Sequence, residues 1–242
     1  MRVQTLVIDW VEVPRGVLIR GTPSVEIDEV VQRHSDYGLP HSYFAKEAPQ
    51  SEVEVTAFNI SRTPVTIDQW RSFCEVTGWD APAGDGRLPI ERLAWWQAQA
   101  FCEWASDATG VAARLVSEDE WERAARGDDT REYPWGNVFE RRCANLAELG
   151  VGHALPVGSL PLGASPFGVL DMAGNTDEWT ATEYYRYPGG PDGLPDVEDH
   201  AFDRHITRGG GYIHCKDLAR CARRHGVYEP GGGAGFRVAA SA

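Results

Sequence analysis

The chain has 242 residues and a formal net charge of -13, which argues against nucleic acid or an anionic membrane as its main partner. Forty-two per cent of it is hydrophobic, enough for a real core, yet no apolar run approaches the roughly 20 residues that span a bilayer. Nine Trp and 26 Gly suggest a loop-rich body in which bulky rings fill gaps between irregular segments. The N-terminus lacks the apolar stretch and small-residue cleavage site of a secretion signal, so a cytoplasmic protein is expected. Its five cysteines are then expected to be reduced.

In chain order, Leu6, Ile8, Trp10 and Val13 approximate an alternating pattern, so a half-buried strand is expected over Thr5 to Val13. Val17 to Ile19 resumes the strand after a turn at Pro14 to Gly16. Residues 22 to 50 are polar and proline-interrupted, so they are expected to form one long loop. Val53 to Ile60 alternates well and reads as a strand. Three helices follow. Thr66 and Gln69 fit a capping box, with Trp70, Phe73 and Cys74 on one face and Gly78 as the stop. A second helix spans about Ala94 to Ala108 and ends at Gly110. A third starts at Ser117, with Glu120 completing its box, and closes at Gly127. Cys74 and Cys102 lie on apolar helix faces and read as core filler. Past Gly127 the chain is rich in Gly, Pro, Asp and Asn. Its aromatic residues, among them Trp135, Phe167, Trp179 and Phe236, argue for an ordered but irregular segment.

The stretch Leu170 to Trp179, LDMAGNTDEW, is dense in ligand chemistry. Asp171 and Glu178 offer carboxylates, Asn175 an amide oxygen, and Gly174 lets the backbone turn with positive φ. Such a set suits a hard cation such as calcium. The same residues also suit an Asx-turn that closes on its own hydrogen bonds. Further on, RGGGYIHCKDLARCARRH places Cys215 and Cys221 within six residues of each other, a pair that could bind a soft metal. His205, His214 and His225 flank the same region, and Asp177, Glu178 or Glu183 could add a carboxylate. Two imidazoles and one carboxylate form the facial set used by non-haem iron(II) with dioxygen. Each of these histidines could equally be an ordinary surface or core residue.

Eight motifs occur in the order seen in formylglycine-generating enzymes, the sulfatase-modifying-factor family. They include Phe101-Cys102-Glu103-Trp104, Arg114 to Glu122, Tyr133-Pro134-Trp135-Gly136-Asn137, Phe167 to Asn175, Arg208-Gly209-Gly210 and Gly235-Phe236-Arg237. The chain resembles that family from about Val11 to Ala239. The resemblance implies one α+β domain over residues 1–242, rich in irregular structure and related to C-type lectins. It implies a structural calcium on the Asp171 side chain, the Gly174 and Thr176 carbonyls and the Glu178 carboxylate. A second calcium would use Asn145 and the backbone of Leu146, although its remaining ligands fall in a shortened segment.

Family members oxidise a sulfatase cysteine with dioxygen and Cu(I) held by two thiolates, which here points to Cys215 and Cys221. The register departs from the family, whose first Cys falls where this chain has His214. Cys221 aligns instead with a cysteine that is disulfide-bonded in some members, and the partner position falls near Ala125. Asp177 replaces the bulky apolar residue usual in the family. The reading is therefore a metal- and dioxygen-dependent oxidoreductase with calcium and either copper or iron, acting on a small-molecule or peptide substrate. Candidate catalytic residues are Cys215, Cys221, His214 and Asp177, with His205 and His225 as further ligands. A true formylglycine-generating enzyme and a catalytically silent, lectin-like binding module are the alternatives.

Overall fold

A computed structural model of the protein describes residues 6–192, 205–226 and 234–242. Thr5, the expected first residue of the opening strand, lies outside them. That strand, β1, spans Trp10–Val13, with Val11 and Val13 buried. β2 spans Gly16–Arg20 and pairs antiparallel with β3, Ser51–Val55. β4, Phe58–Ser61, pairs with β1. The single strand expected from Val53 to Ile60 is thus two, belonging to two different sheets. Alternation alone does not reveal a break at Thr56 and Ala57, because both strands keep the same period.

Residues 22 to 50 correct the expected long loop. They hold α1, Ile27–Arg33, and α2, His41–Ala45. Neither has a side-chain cap, which is why no start signal marks them. Ile27, Val30, Phe44 and Ala48 form a small core of their own.

The three expected helices are present. α3, Ile67–Thr77, opens on a complete capping box: the Gln69 N–H donates to Thr66 Oγ1 at 3.2 Å, and the Thr66 N–H to Gln69 Oε1 at 2.9 Å. α4 spans Trp95–Thr109. α5, Glu118–Arg126, carries the second box, Ser117 with Glu120. Gly78 and Gly110 end α3 and α4 with left-handed backbone, at φ of 76° and 70°. α3 and α4 meet through Trp70 and Phe101, stacked at 5.7 Å, and Phe236 packs edge-on against both.

Past Gly127 there is more regular structure than the composition suggests. β5, Arg114–Leu115, pairs with β10, Val238–Ser241, giving a four-stranded sheet in the order β1-β4-β10-β5. A second four-stranded sheet carries β6, Glu178–Glu183; β7, His205–Arg208; β8, His225–Gly226; and β9, Gly235–Phe236, in the order β8-β7-β6-β9. α5 lies between the layers, its Trp121 fully buried among Val13, Phe58, Ile60, Met172 and Ala239.

Buried arginine–carboxylate pairs help to hold the glycine-rich half. Arg208 and Arg224 both reach Glu118, and Arg208 with Arg126 reaches Glu122. Arg220 bridges Glu47 and Asp217. All of these groups are buried. Pairing is what makes their burial tolerable, since a lone buried charge costs several kcal/mol.

A candidate metal centre beside the glycine turn

The second sheet positions the site. Asp177 immediately precedes β6. β7 and β8 run antiparallel, with Thr207 opposite His225. The Thr207 hydroxyl lies 3.2 Å from both Asp177 Oδ2 and the His225 carbonyl oxygen, so its single proton serves one at a time. Beyond β7 the chain turns through Gly209 and Gly210, at φ of 91° and 69°. A Cβ on Gly210 would lie 2.8 Å from that of Leu218, so both the left-handed backbone and the close approach require glycine. This turn aims the Gly210 N–H at Asp177 Oδ1, 3.2 Å away, and swings His214 back over the site.

Asp177, His214 and His225 come together here, with one ligand atom from each lying within 4.8 Å of the others. Asp177 is 4% exposed and the two imidazoles are half-buried. Asp177 Oδ2 and His225 Nδ1 are 2.6 Å apart. The two imidazole rings stand at right angles, centroids 5.3 Å apart. The Gly211 N–H donates to His214 Nδ1 at 2.9 Å. Burial pushes the His214 pKa down, and the neighbouring His225 and Arg223 add to this against the pull of Asp177. His214 is therefore held neutral, the form in which an imidazole binds a metal.

The remaining candidates lie elsewhere. His205 stacks on Trp95, rings 3.6 Å apart and nearly parallel, outside the group of three. Glu183 is exposed at the end of β6. Cys215 and Cys221 face different surroundings. Cys221 is in the core with Trp121 and Ala125, and burial pushes its thiol up to about 12. Cys215 is half-buried among Asp217 and Glu148, and burial, reinforced by both carboxylates, pushes its thiol up as well. A Cu(I) pair needs thiolates, and neither environment favours one. All five cysteines are free.

Along the expected calcium clasp from Asp171 to Glu178, several of the oxygens accept hydrogen bonds from protein groups. Arg237 donates to both Glu178 oxygens, at 2.7 and 2.6 Å, and the Trp121 indole N–H adds a third bond at 2.7 Å. The cation opposite Glu178 is thus a guanidinium. Asp171 Oδ2 accepts from the Gly158 N–H at 2.6 Å, and the Gly174 carbonyl from the Thr176 N–H at 2.9 Å. The Thr176 hydroxyl bonds the Asp177 carbonyl. Asn145 differs. Its amide nitrogen donates to the His153 carbonyl and to Asn175 Oδ1, but its Oδ1 is buried with no hydrogen-bond partner. The Leu146 carbonyl accepts only within its own turn, from the Leu149 N–H.

Two supporting residues were not expected from sequence. Thr207 orients Asp177. Glu91, whose carboxyl burial pushes up to about 7, lies close to Thr176. Neither belongs to a motif, and only the strand register and the approach of a distant loop reveal them.

The family model of the sulfatase-modifying factor enzyme 1-like domain matches residues 7–242. Hercynine oxygenase of Mycolicibacterium smegmatis is 30% identical over 216 residues, covering 72% of this chain and 47% of that protein. The formylglycine-generating enzyme of Mycobacterium tuberculosis is 37% identical over 145 residues, 50% of this chain and 46% of that one. The chain spans about half the length of these curated relatives. The solved structure of PvdO from Pseudomonas aeruginosa superposes with a TM-score of 0.74 at 25% identity, over 96% of this chain and 94% of that one. With its mixed helices and strands and its motifs in family order, the chain belongs to the sulfatase-modifying factor enzyme 1-like family.

Proposed function

We propose that this chain is a metal- and dioxygen-dependent oxidoreductase whose metal is held by Asp177, His214 and His225, and that it acts on a small-molecule or peptide-borne substrate. The convergence of these three side chains carries the reading. Two imidazoles and one carboxylate are the donor set of non-haem iron(II) oxygenases, so iron(II) is the metal that fits best. The name of the hercynine oxygenases supports oxygen chemistry on a small molecule.

Bound iron(II) would bind and activate dioxygen, with the substrate as the net source of electrons. The chain's own contribution is legible in its hydrogen bonds. Asp177 brings the negative charge, and the Gly210 N–H and Thr207 hydroxyl fix its direction. His225 is held against Asp177, and this contact is the one a metal would have to compete with. Burial lowers the His214 pKa and so favours the neutral imidazole, whose Nδ1 accepts from the Gly211 N–H. A structural calcium belongs to the reading at Asn145, whose unsatisfied Oδ1 and the adjoining Leu146 carbonyl would hold it. Cys215 and Cys221 lie in different surroundings, one half-buried and one in the core, which supports placing the metal at the histidines instead.

The test is anaerobic titration of metal-free protein with Co(II), followed by its visible absorption. One equivalent should bind. Asp177→Ala and His225→Ala should lose it, while Cys215→Ala keeps it. A sulfur-to-metal charge-transfer band that vanishes in Cys215→Ala would overturn the assignment in favour of the thiols.

A further inference from the structure

A cavity of about 430 Å³ opens beside the turn that follows β2, with Thr22, Arg33, Arg126, Glu132, Asn137 and Arg220 among its walls. Arg126, at the end of α5, is 4% exposed. Its Nη1 donates to the Ile19 and Gly21 carbonyls and to Glu122, at 2.8, 3.0 and 3.0 Å. Its Nε donates to the Arg131 carbonyl at 3.3 Å. Nη2 donates to no group among the described residues, yet it is not one of the unpartnered atoms sealed away from solvent. Behind it, three buried guanidiniums, those of Arg126, Arg208 and Arg224, share two carboxylates, Glu118 and Glu122. The neighbouring set balances, since Arg220 and Arg223 face Glu47 and Asp217. One positive charge is thus left over in the first network, and of its three guanidiniums Arg126 is the one on the cavity wall. The carboxylates on the walls do not offset it. Glu132 lies 3.2 Å from His34 Nε2 and 3.6 Å from Arg33 Nη2, and Glu26 is exposed to solvent.

We propose that this cavity binds a small oxyanion, the carboxylate or phosphate group of an organic acid or phosphate ester, against the free amino group of Arg126. A guanidinium is weakly hydrated and gives oxyanions charge-assisted hydrogen bonds, about twice as strong as neutral ones. A buried charge without a counter-charge is costly, so an anion entering here supplies what the three-to-two network lacks. A neutral ligand does not. Two further donors stand on the same walls. The Arg33 side chain is 52% exposed, and at 3.6 Å its contact with Glu132 is loose enough to yield to a ligand. Asn137 Oδ1 accepts from the Glu132 N–H at 2.9 Å, which leaves the amide NH2 to donate. The volume falls in the range of small-molecule sites. None of Asp177, His214 and His225 lines this cavity, so the inference stands apart from the metal proposal.

Calorimetric titration of metal-free protein with inorganic phosphate and, separately, with acetate tests the site, with ionic strength held constant by chloride. Removing metal ensures that an anion bound to a metal ion is not mistaken for one in the cavity. Saturable one-to-one binding of at least one of the two is expected, and the tighter one tells a phosphate ester from a carboxylic acid as the source. Arg126→Lys keeps the charge but removes the second amino group, and should weaken binding roughly tenfold or more. Arg33→Ala alters a half-exposed side chain and should weaken binding by up to about fivefold. Circular dichroism checks that both variants fold. Should Arg126→Lys fail to fold, crystals of the unmodified protein soaked in selenate decide the matter. An anomalous peak within hydrogen-bond reach of Arg126 Nη2 supports the site, and peaks only elsewhere contradict it. No saturable binding of either anion, or binding that both folded variants leave unchanged, overturns the proposal.

Discussion

Asp177 is where one residue decides most. The family usually carries a bulky apolar side chain at this position, whereas here a buried carboxylate accepts from the Gly210 N–H and sits 2.6 Å from His225 Nδ1. Thr207 is its quieter support. Replacing it with Val removes the hydroxyl without changing shape and leaves Asp177 Oδ2 short of one donor. Thr207→Val should weaken Co(II) about 10- to 100-fold, the usual effect of losing a partner of a metal ligand. It should also destabilise the fold by about 1–3 kcal/mol. Titration of both proteins checks the first figure and urea unfolding the second. The residue types of this site are legible in the sequence: His214, His225 and Asp177 stand among the candidates. Which histidine joins which carboxylate is not. His205 has the same chemistry, and only the β7–β8 register and the Gly209–Gly210 turn place it against Trp95 instead.

At the level of elements, local signals predict well where a side chain caps a helix and poorly where none does. Thr66 with Gln69 and Ser117 with Glu120 mark α3 and α5 to the residue. α1 and α2 lack such a cap and are held by Ile27, Val30 and Phe44 packing on one another, contacts that no short window contains. β3 and β4 run together in sequence because the break between them changes sheet, not period. The Ser117 cap also bears on function, since α5 presents Glu118 and Glu122 to the arginines beneath the metal centre. Ser117→Ala should cost about 1 kcal/mol of stability, the usual worth of such a cap. Thermal unfolding of the two proteins side by side measures it.

Across the whole molecule, paired buried charge is a main element of the packing. The composition is acidic, with 36 Asp and Glu against 23 Lys and Arg, so acidic loops naturally suggest a cation. What the sequence conceals is that Arg208, Arg220, Arg224 and Arg237 are buried and spent on specific carboxylates. Glu118 stands at the centre of this network. Burial pushes its carboxyl up, but Arg224 and Arg208 outweigh burial and hold it below the ordinary value of 4.5. A carboxylate depressed in the folded state stabilises above its unfolded pKa and loses that contribution as pH falls through the folded one. Glu118→Gln should therefore cost about 3–5 kcal/mol at pH 7, because it leaves buried Arg224 without a carboxylate and Arg208 with Glu122 alone. The gap from the unmodified protein should narrow on acidification below about pH 4.5. Chemical unfolding at pH 7, 5 and 3 reads both effects.

No helix among the described residues is long and apolar enough to cross a membrane. The most direct measurement is anomalous diffraction at the iron edge from crystals grown without oxygen in the presence of iron(II). A single strong peak within bonding reach of Asp177, His214 and His225 is the predicted result. A peak between Cys215 and Cys221, or none near the glycine turn, would contradict the account.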